Sequence, residues 1–195
     1  MDPKQVLHRY LATQRDALLA KLGGLDERDM RWPMTPTGTN LLGLVKHVAS
    51  VELGYFGEVF DRPSNIPLPW LDEGAELNAD MWATAGESRE NIVALYQQAT
   101  QHADATIAAL PLDAPGLVPW WPPERQQVTL QQIMVHVSVE VARHAGQADI
   151  IRELIDGAAG DDGGLPDQTA EEWAAYRARL EENAIEAARR TKGSH

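Results

Sequence analysis

Residues 128–157 read VTLQQIMVHVSVEVARHAGQADIIRELIDG, and this stretch decides the fold. Thr129 and Gln132 form a T-x-x-Q capping box, with Val128 and Ile133 at the two positions of a hydrophobic staple. Ile133, Val137, Val141, Ala148 and Ile151 recur at helical spacing, which predicts one long amphipathic helix with a buried stripe. Gly157 supplies the left-handed residue that ends it. His136, Glu140 and His144 lie on or beside the same stripe, each one turn from the next. Residues at i and i+4 are neighbours, with Cβ atoms roughly 6 Å apart. Glu140 and His144 can therefore converge on one ion.

The rest of the chain supplies helices for this one to pack against. A first helix over 3–22 begins at Pro3, puts Leu7, Leu11, Leu18 and Leu22 on one face, and stops at Gly23-Gly24. A second, over 41–60, follows a turn-rich stretch in which Thr39 or Asn40 can cap it. Its stripe is Leu44, Val48, Val51, Tyr55 and Val59, and Arg62-Pro63 ends it. A third, over 89–110, is capped by Ser88 and buries Ile92, Leu95, Tyr96, Ala99, Ala103, Ile107 and Leu110. The connection over 61–87 is long enough to be a crossover between two parallel helices. A second irregular stretch holds Pro119-Trp120-Trp121-Pro122-Pro123, and an acidic, Gly-rich loop covers 157–166. A last helix starts at Thr169, with Glu172 completing a capping box, and carries Trp173, Tyr176, Leu180 and Ile185 on one side. The expected fold is all-α, a four-helix bundle with a fifth, C-terminal helix. It reads as one domain over 1–190 with a tail over 191–195.

Composition narrows the function. The chain has 195 residues, of which 44% are hydrophobic, enough for a substantial core. The formal net charge of -12 argues against a general nucleic-acid binder and against attraction to an anionic membrane face. No run reaches the roughly 18 apolar residues needed to span a bilayer, and the N-terminus lacks the pattern of a secretory signal. A cytoplasmic protein is expected. With no cysteine in the chain, disulfides, Cys-ligated zinc and a Cys nucleophile are excluded. A thiol in the chemistry must come from a cofactor or substrate.

His47 sits between Leu44 and Val51 on the inward side of the second helix, and is the natural third ligand for Glu140 and His144. Two His and one carboxylate with an open position is a catalytic zinc arrangement, and also resembles the open facial set of non-haem iron. A lone core histidine is more often a hydrogen-bonded structural residue. A carboxylate on an apolar stripe is harder to dismiss, because burying it unpaired costs several kcal/mol. His136 reads as a partner that orients Glu140 or as a satisfied core residue. Arg143 reads as half of an ion pair or as a cation at the site mouth that holds an anionic substrate. Trp120 and Trp121 wall the pocket or anchor a loop, and Tyr55 is a further substrate-facing candidate. H-E-x-x-H, paired E-x-x-H, G-x-S-x-G and Walker A motifs are absent.

The segment Gly43-Leu44-Val45-Lys46-His47-Val48-Ala49-Ser50-Val51-Glu52, together with His136-x-x-x-Glu140-x-x-Arg143-His144-Ala145-Gly146-Gln147-Ala148-Asp149, resembles the DinB-like superfamily. The following Ile150-Ile151-Arg152-Glu153-Leu154-Ile155-Asp156-Gly157 is similar to its actinobacterial branch, which holds the mycothiol S-transferases and the metal-binding domain of mycothiol-dependent maleylpyruvate isomerase. The resemblance implies an up-down-down-up bundle with a long crossover between helices 2 and 3. It implies a divalent metal, zinc foremost with Ni2+ or Fe2+ as alternatives, and mycothiol as co-substrate. Much of the superfamily uses three His, whereas Glu140 stands at the middle ligand position here, as in the mycothiol-using members. Gln147 departs from close relatives that carry His.

The activity so implied is a metal-dependent thiol S-transferase that conjugates mycothiol to small electrophiles in detoxification. Two alternatives stay open: a non-catalytic metal-binding stress or interaction protein, and a metal-dependent hydrolase. The expected partners are a small thiol and an electrophile, with neither nucleic acid nor membrane, and a homodimer is in keeping with related proteins.

Overall fold

A computed structural model of the chain describes residues 2–159, 166 and 168–192. The chain forms two compact units, Met1–Ala159 and Gly160–His195. Most of the expected Gly-rich loop, and residues 193–195 of the tail, lie outside the described residues. The first unit holds α1 (Pro3–Ala20), α2 (Glu27–Arg31), α3 (Leu41–Phe56), α4 (Arg89–Ala109) and α5 (Leu130–Asp156), and the second holds α6 (Ala170–Lys192). No helix among the described residues is long and apolar enough to cross a membrane.

Local chemistry sets the boundaries. Thr129 and Gln132 make both bonds of the capping box at the start of α5, and Gly157 closes it with φ 79°. Asn40 rather than Thr39 caps α3, its side chain accepting from the Gly43 N–H at 2.8 Å. Ser88 caps α4 in the same way. α3 ends earlier than its apolar stripe, at Gly57, where a 3-10 turn over Glu58–Phe60 takes over. Three short elements were not expected. α2 has five residues and β1 (Pro115–Leu117) and β2 (Gln127–Thr129) three each, all too short to show a hydrophobic period. The two strands pair antiparallel with Gly116 opposite Val128, and their loop carries Trp120 and Trp121.

Side-chain contacts give the helix directions. At the start of α1, Lys4 Nζ donates to the Leu110 carbonyl (2.8 Å), and His8 lies 2.8 Å from Asp104. Beyond the other end of α1, Arg89 donates to the Leu22 carbonyl (3.0 Å), so α1 and α4 are antiparallel. Lys21 pairs with Asp149 at 2.8 Å, and Arg152 donates to the Lys21 carbonyl, which puts the ends of α1 and α5 side by side. His47 meets His144 while Tyr55 meets His136, so α3 runs against α5. The order is up-down-down-up. α3 and α4 are parallel, and the long 57–88 connection is the crossover that such a pair requires.

The core of the first unit is continuous, from Leu11 and Leu18 of α1 through Leu44, Val48 and Phe56 of α3 to Ile133, Val137 and Val141 of α5. One ion pair lies inside it. Arg15 Nε is 2.6 Å from Glu52 Oε1, both side chains almost fully buried, and Arg15 also reaches Asp104 at 2.7 Å. This tie joins α1, α3 and α4. α6 is a solvated helix capped by reciprocal bonds between Thr169 and Glu172, with Trp173 edge-on to Tyr176.

Candidate metal centre

α3 presents His47, and α5 presents Glu140 and His144 one turn apart. Because the helices are antiparallel neighbours, one ligand atom from each residue falls within 4.8 Å of the others. Glu140 Oε1 is 3.1 Å from His144 Nε2 and 3.7 Å from His47 Nε2. The two imidazoles meet edge to face, centroids 4.8 Å apart.

The far side of each ring is held. His47 Nδ1 lies 2.6 Å from Asp80 Oδ2, and His144 Nδ1 lies 2.8 Å from Gln147 Oε1. Each acceptor selects the tautomer with hydrogen on Nδ1 and leaves the Nε2 lone pair aimed at Glu140. Burial pushes the Glu140 carboxyl up, but the His144 and His47 imidazoles together outweigh it and hold the group below the usual carboxylate range. That effect belongs to the protonated imidazoles; with both rings neutral and carrying hydrogen on Nδ1, two nitrogen lone pairs and a carboxylate oxygen face one another with no proton between them. That arrangement repels itself unless a cation sits at its centre, and an N2O donor set suits a borderline divalent ion.

Asp80 was not legible as a site residue, since it lies in an aperiodic connection 33 positions from His47. Its placement rests on a clamp. Lys46, next to His47, is buried and donates to the Ala79 carbonyl (2.9 Å) and the Trp82 carbonyl (3.0 Å), one on either side of Asp80. It also pairs with Glu87 at 2.8 Å and lies over the Trp70 ring. Asn40 donates to the Met81 carbonyl, and Arg31 to those of Ala83, Thr84 and Glu87. Gly43 lets the Met81 carbonyl approach so closely that a Cβ there would collide with it.

A cavity of about 700 Å³ opens beside the cluster. His47, Asp80 and Glu140 line its polar end, and Val51, Leu53, Ile66, Leu68 and Trp120 its apolar walls. The lining holds carboxylates of Glu58, Asp80 and Glu140 and neither Lys nor Arg. Tyr55 and His136 also line it. Tyr55 Oη accepts from the indole N–H of both Trp120 (3.3 Å) and Trp121 (2.9 Å). His136 packs edge-on against the rings of Tyr55 and Trp121, and burial pushes its imidazole down, toward the neutral form. It is not part of the three-residue cluster. Trp121 backs the wall without lining the cavity. Of the two readings of Arg143, the structure does not place it on the cavity wall. It is exposed and does not line the cavity, because adjacent helical residues point about 100° apart and His144 takes the inward direction.

Residues 6–157 match the family model described as Mycothiol-S-transferase. No curated protein matches the chain. A solved structure described as the conserved protein of locus from Enterococcus faecalis superposes with a TM-score of 0.59, covering 81% of this chain and 99% of that one at 16% identity. At that identity the likeness is one of fold.

Proposed function

The chain belongs to the mycothiol S-transferase family, and on that premise we propose that it joins a low-molecular-weight thiol, mycothiol, to small electrophiles at a divalent-metal site held by His47, Glu140 and His144. The observation that carries this reading is the convergence of two Nε2 lone pairs and an ionised carboxylate at the polar end of an open cavity. A divalent ion bound there, zinc foremost among those the family resemblance implies, would lower the pKa of a thiol and supply it as thiolate, the nucleophilic form. The chain has no cysteine, so no protein thiol competes for that place.

The remaining work falls to the protein's own groups. Asp80 and Gln147 hold the two imidazoles with their lone pairs inward. Glu140 offsets part of the positive charge, which leaves the substrate sulfur more nucleophilic than a three-His set would. The apolar walls seat the electrophile and exclude water. The sulfur forms a C–S bond as the bond to the leaving group breaks with its electron pair. The thiol proton is released, so the balance is thiol plus R–X giving thioether, H+ and X−.

The test is conjugation of mycothiol to a fluorogenic haloalkyl bimane by purified protein whose metal content has been measured. A rate well above background, lost on chelation and restored by zinc, is expected. No rate with several thiols and electrophiles, while metal is present, would falsify the transferase reading.

A further inference from the structure

The wall of the cavity away from the cluster carries an unusual hydroxyl. Indole N–H groups donate and never accept. Trp120 and Trp121 both donate to Tyr55 Oη, at 3.3 and 2.9 Å, and so fill its acceptor side. The phenolic proton must then point elsewhere, and among the described residues Tyr55 donates to no protein group. Tyr55 lines the cavity, and it stands eight residues beyond His47 on the same face of α3, about 12 Å along the axis. It therefore sits away from the reacting centre, in a lining that combines the apolar Val51, Ile66, Leu68 and Trp120 with the neutral polar side chains of Ser64 and Asn65 and with His136.

We propose that the Tyr55 hydroxyl is a substrate-binding donor that recognises a neutral acceptor oxygen, such as a carbonyl or ether, at the far end of an otherwise apolar electrophile. The acceptor is neutral because the lining offers carboxylates from Glu58, Asp80 and Glu140 and no cation. Away from the metal cluster the charged lining group is Glu58, which would repel an anionic group, whereas a carbonyl needs only a donor. The role of Tyr55 as an electrophile-binding group rests on the transferase reading. The free donor itself rests only on the hydrogen-bond geometry.

Tyr55→Phe separates this from a structural role. Metal-loaded wild type and variant are assayed with two electrophiles of one skeleton, one bearing a carbonyl at the end remote from the reacting carbon and one lacking it. With the carbonyl compound the variant should lose about tenfold in kcat/KM, mainly through KM, the effect of one unmade hydrogen bond. With the hydrocarbon compound the change should be about twofold or less. A merely structural tyrosine, needed only to hold the two indoles, would lower both to the same extent, and that result overturns the proposal. So does an unchanged KM for the carbonyl compound. If wild type conjugates neither compound, the transferase reading has failed. The donor is then judged by calorimetric binding of an unreactive aryl ketone and its hydrocarbon analogue. Selective weakening of the ketone by Tyr55→Phe supports it, and equal weakening of both, or no change, overturns it.

Discussion

His47 Nδ1 lies 2.6 Å from Asp80 Oδ2, and the same Lys46 that precedes His47 on α3 grips the carbonyls of Ala79 and Trp82 on either side of that aspartate. The ring of the candidate ligand and the carboxylate that orients it are thus held by neighbouring residues of one helix. A carboxylate behind a metal-binding imidazole fixes its tautomer and raises its basicity, and its loss costs about 10- to 100-fold in metal affinity. Asp80→Ala should show a loss of that size, with helical circular dichroism unchanged. Competition against a chromophoric chelator measures it, and equal affinities for wild type and variant would remove Asp80 from the site.

Direct ligand deletion should be more severe. His47→Ala and Glu140→Ala each leave two donors, fewer than a stable zinc site uses. Elemental analysis after gel filtration should fall from close to one divalent ion per chain to a small fraction of that in both variants. Retention of full metal content in either would show that the ion is held elsewhere.

Gly43→Ala has a sign that discriminates. In an open helix Gly→Ala stabilises by about 1 kcal/mol. Here a Cβ would collide with the Met81 carbonyl. Overpacking of this kind costs about 1–3 kcal/mol, so the variant should be less stable in urea. It should also bind metal more weakly, because the segment it displaces carries Asp80. A more stable variant would show that the crossover yields without cost.

The clamp should also appear in the pH dependence. Burial pushes the Glu87 carboxyl up, but its bonds to Lys46 and Thr84 outweigh this and hold it below the ordinary carboxylate range. A depressed carboxylate contributes stability that is fully present above its unfolded value and is lost as the pH falls through its folded value. Metal-free wild type should therefore lose stability below the ordinary carboxylate range. Glu87→Gln should be less stable at neutral pH, by about 1–2 kcal/mol for a charge-assisted bond at a partly exposed group. Its curve should meet that of wild type in acid. Parallel curves across the whole range would mean that the Glu87–Lys46 pair contributes nothing.

The sequence alone was enough for the five long helices, and it singled out the three residues that the structure brings together. A capping box, a glycine stop and a period of 3.6 are local signals, written within one turn of the residues they govern. His47, Glu140 and His144 were legible because a polar residue on a buried stripe stands out against its own neighbours. Even the parallel pair of helices left a trace, in a connection too long for an antiparallel turn.

Tertiary structure decided what surrounds the donors. Asp80 carries no signal in its own neighbourhood, since its role depends on carbonyls gripped by Lys46 and on a glycine that admits Met81. The Tyr55 hydroxyl becomes a free donor only because two tryptophans 65 and 66 positions away fill its lone pairs. Arg143, beside His144 in the chain, is turned out to solvent by the helical rotation between them. A helical stripe reports which side of one helix is buried. It does not report which loop will be folded over that side, because that depends on contacts between residues far apart in the chain.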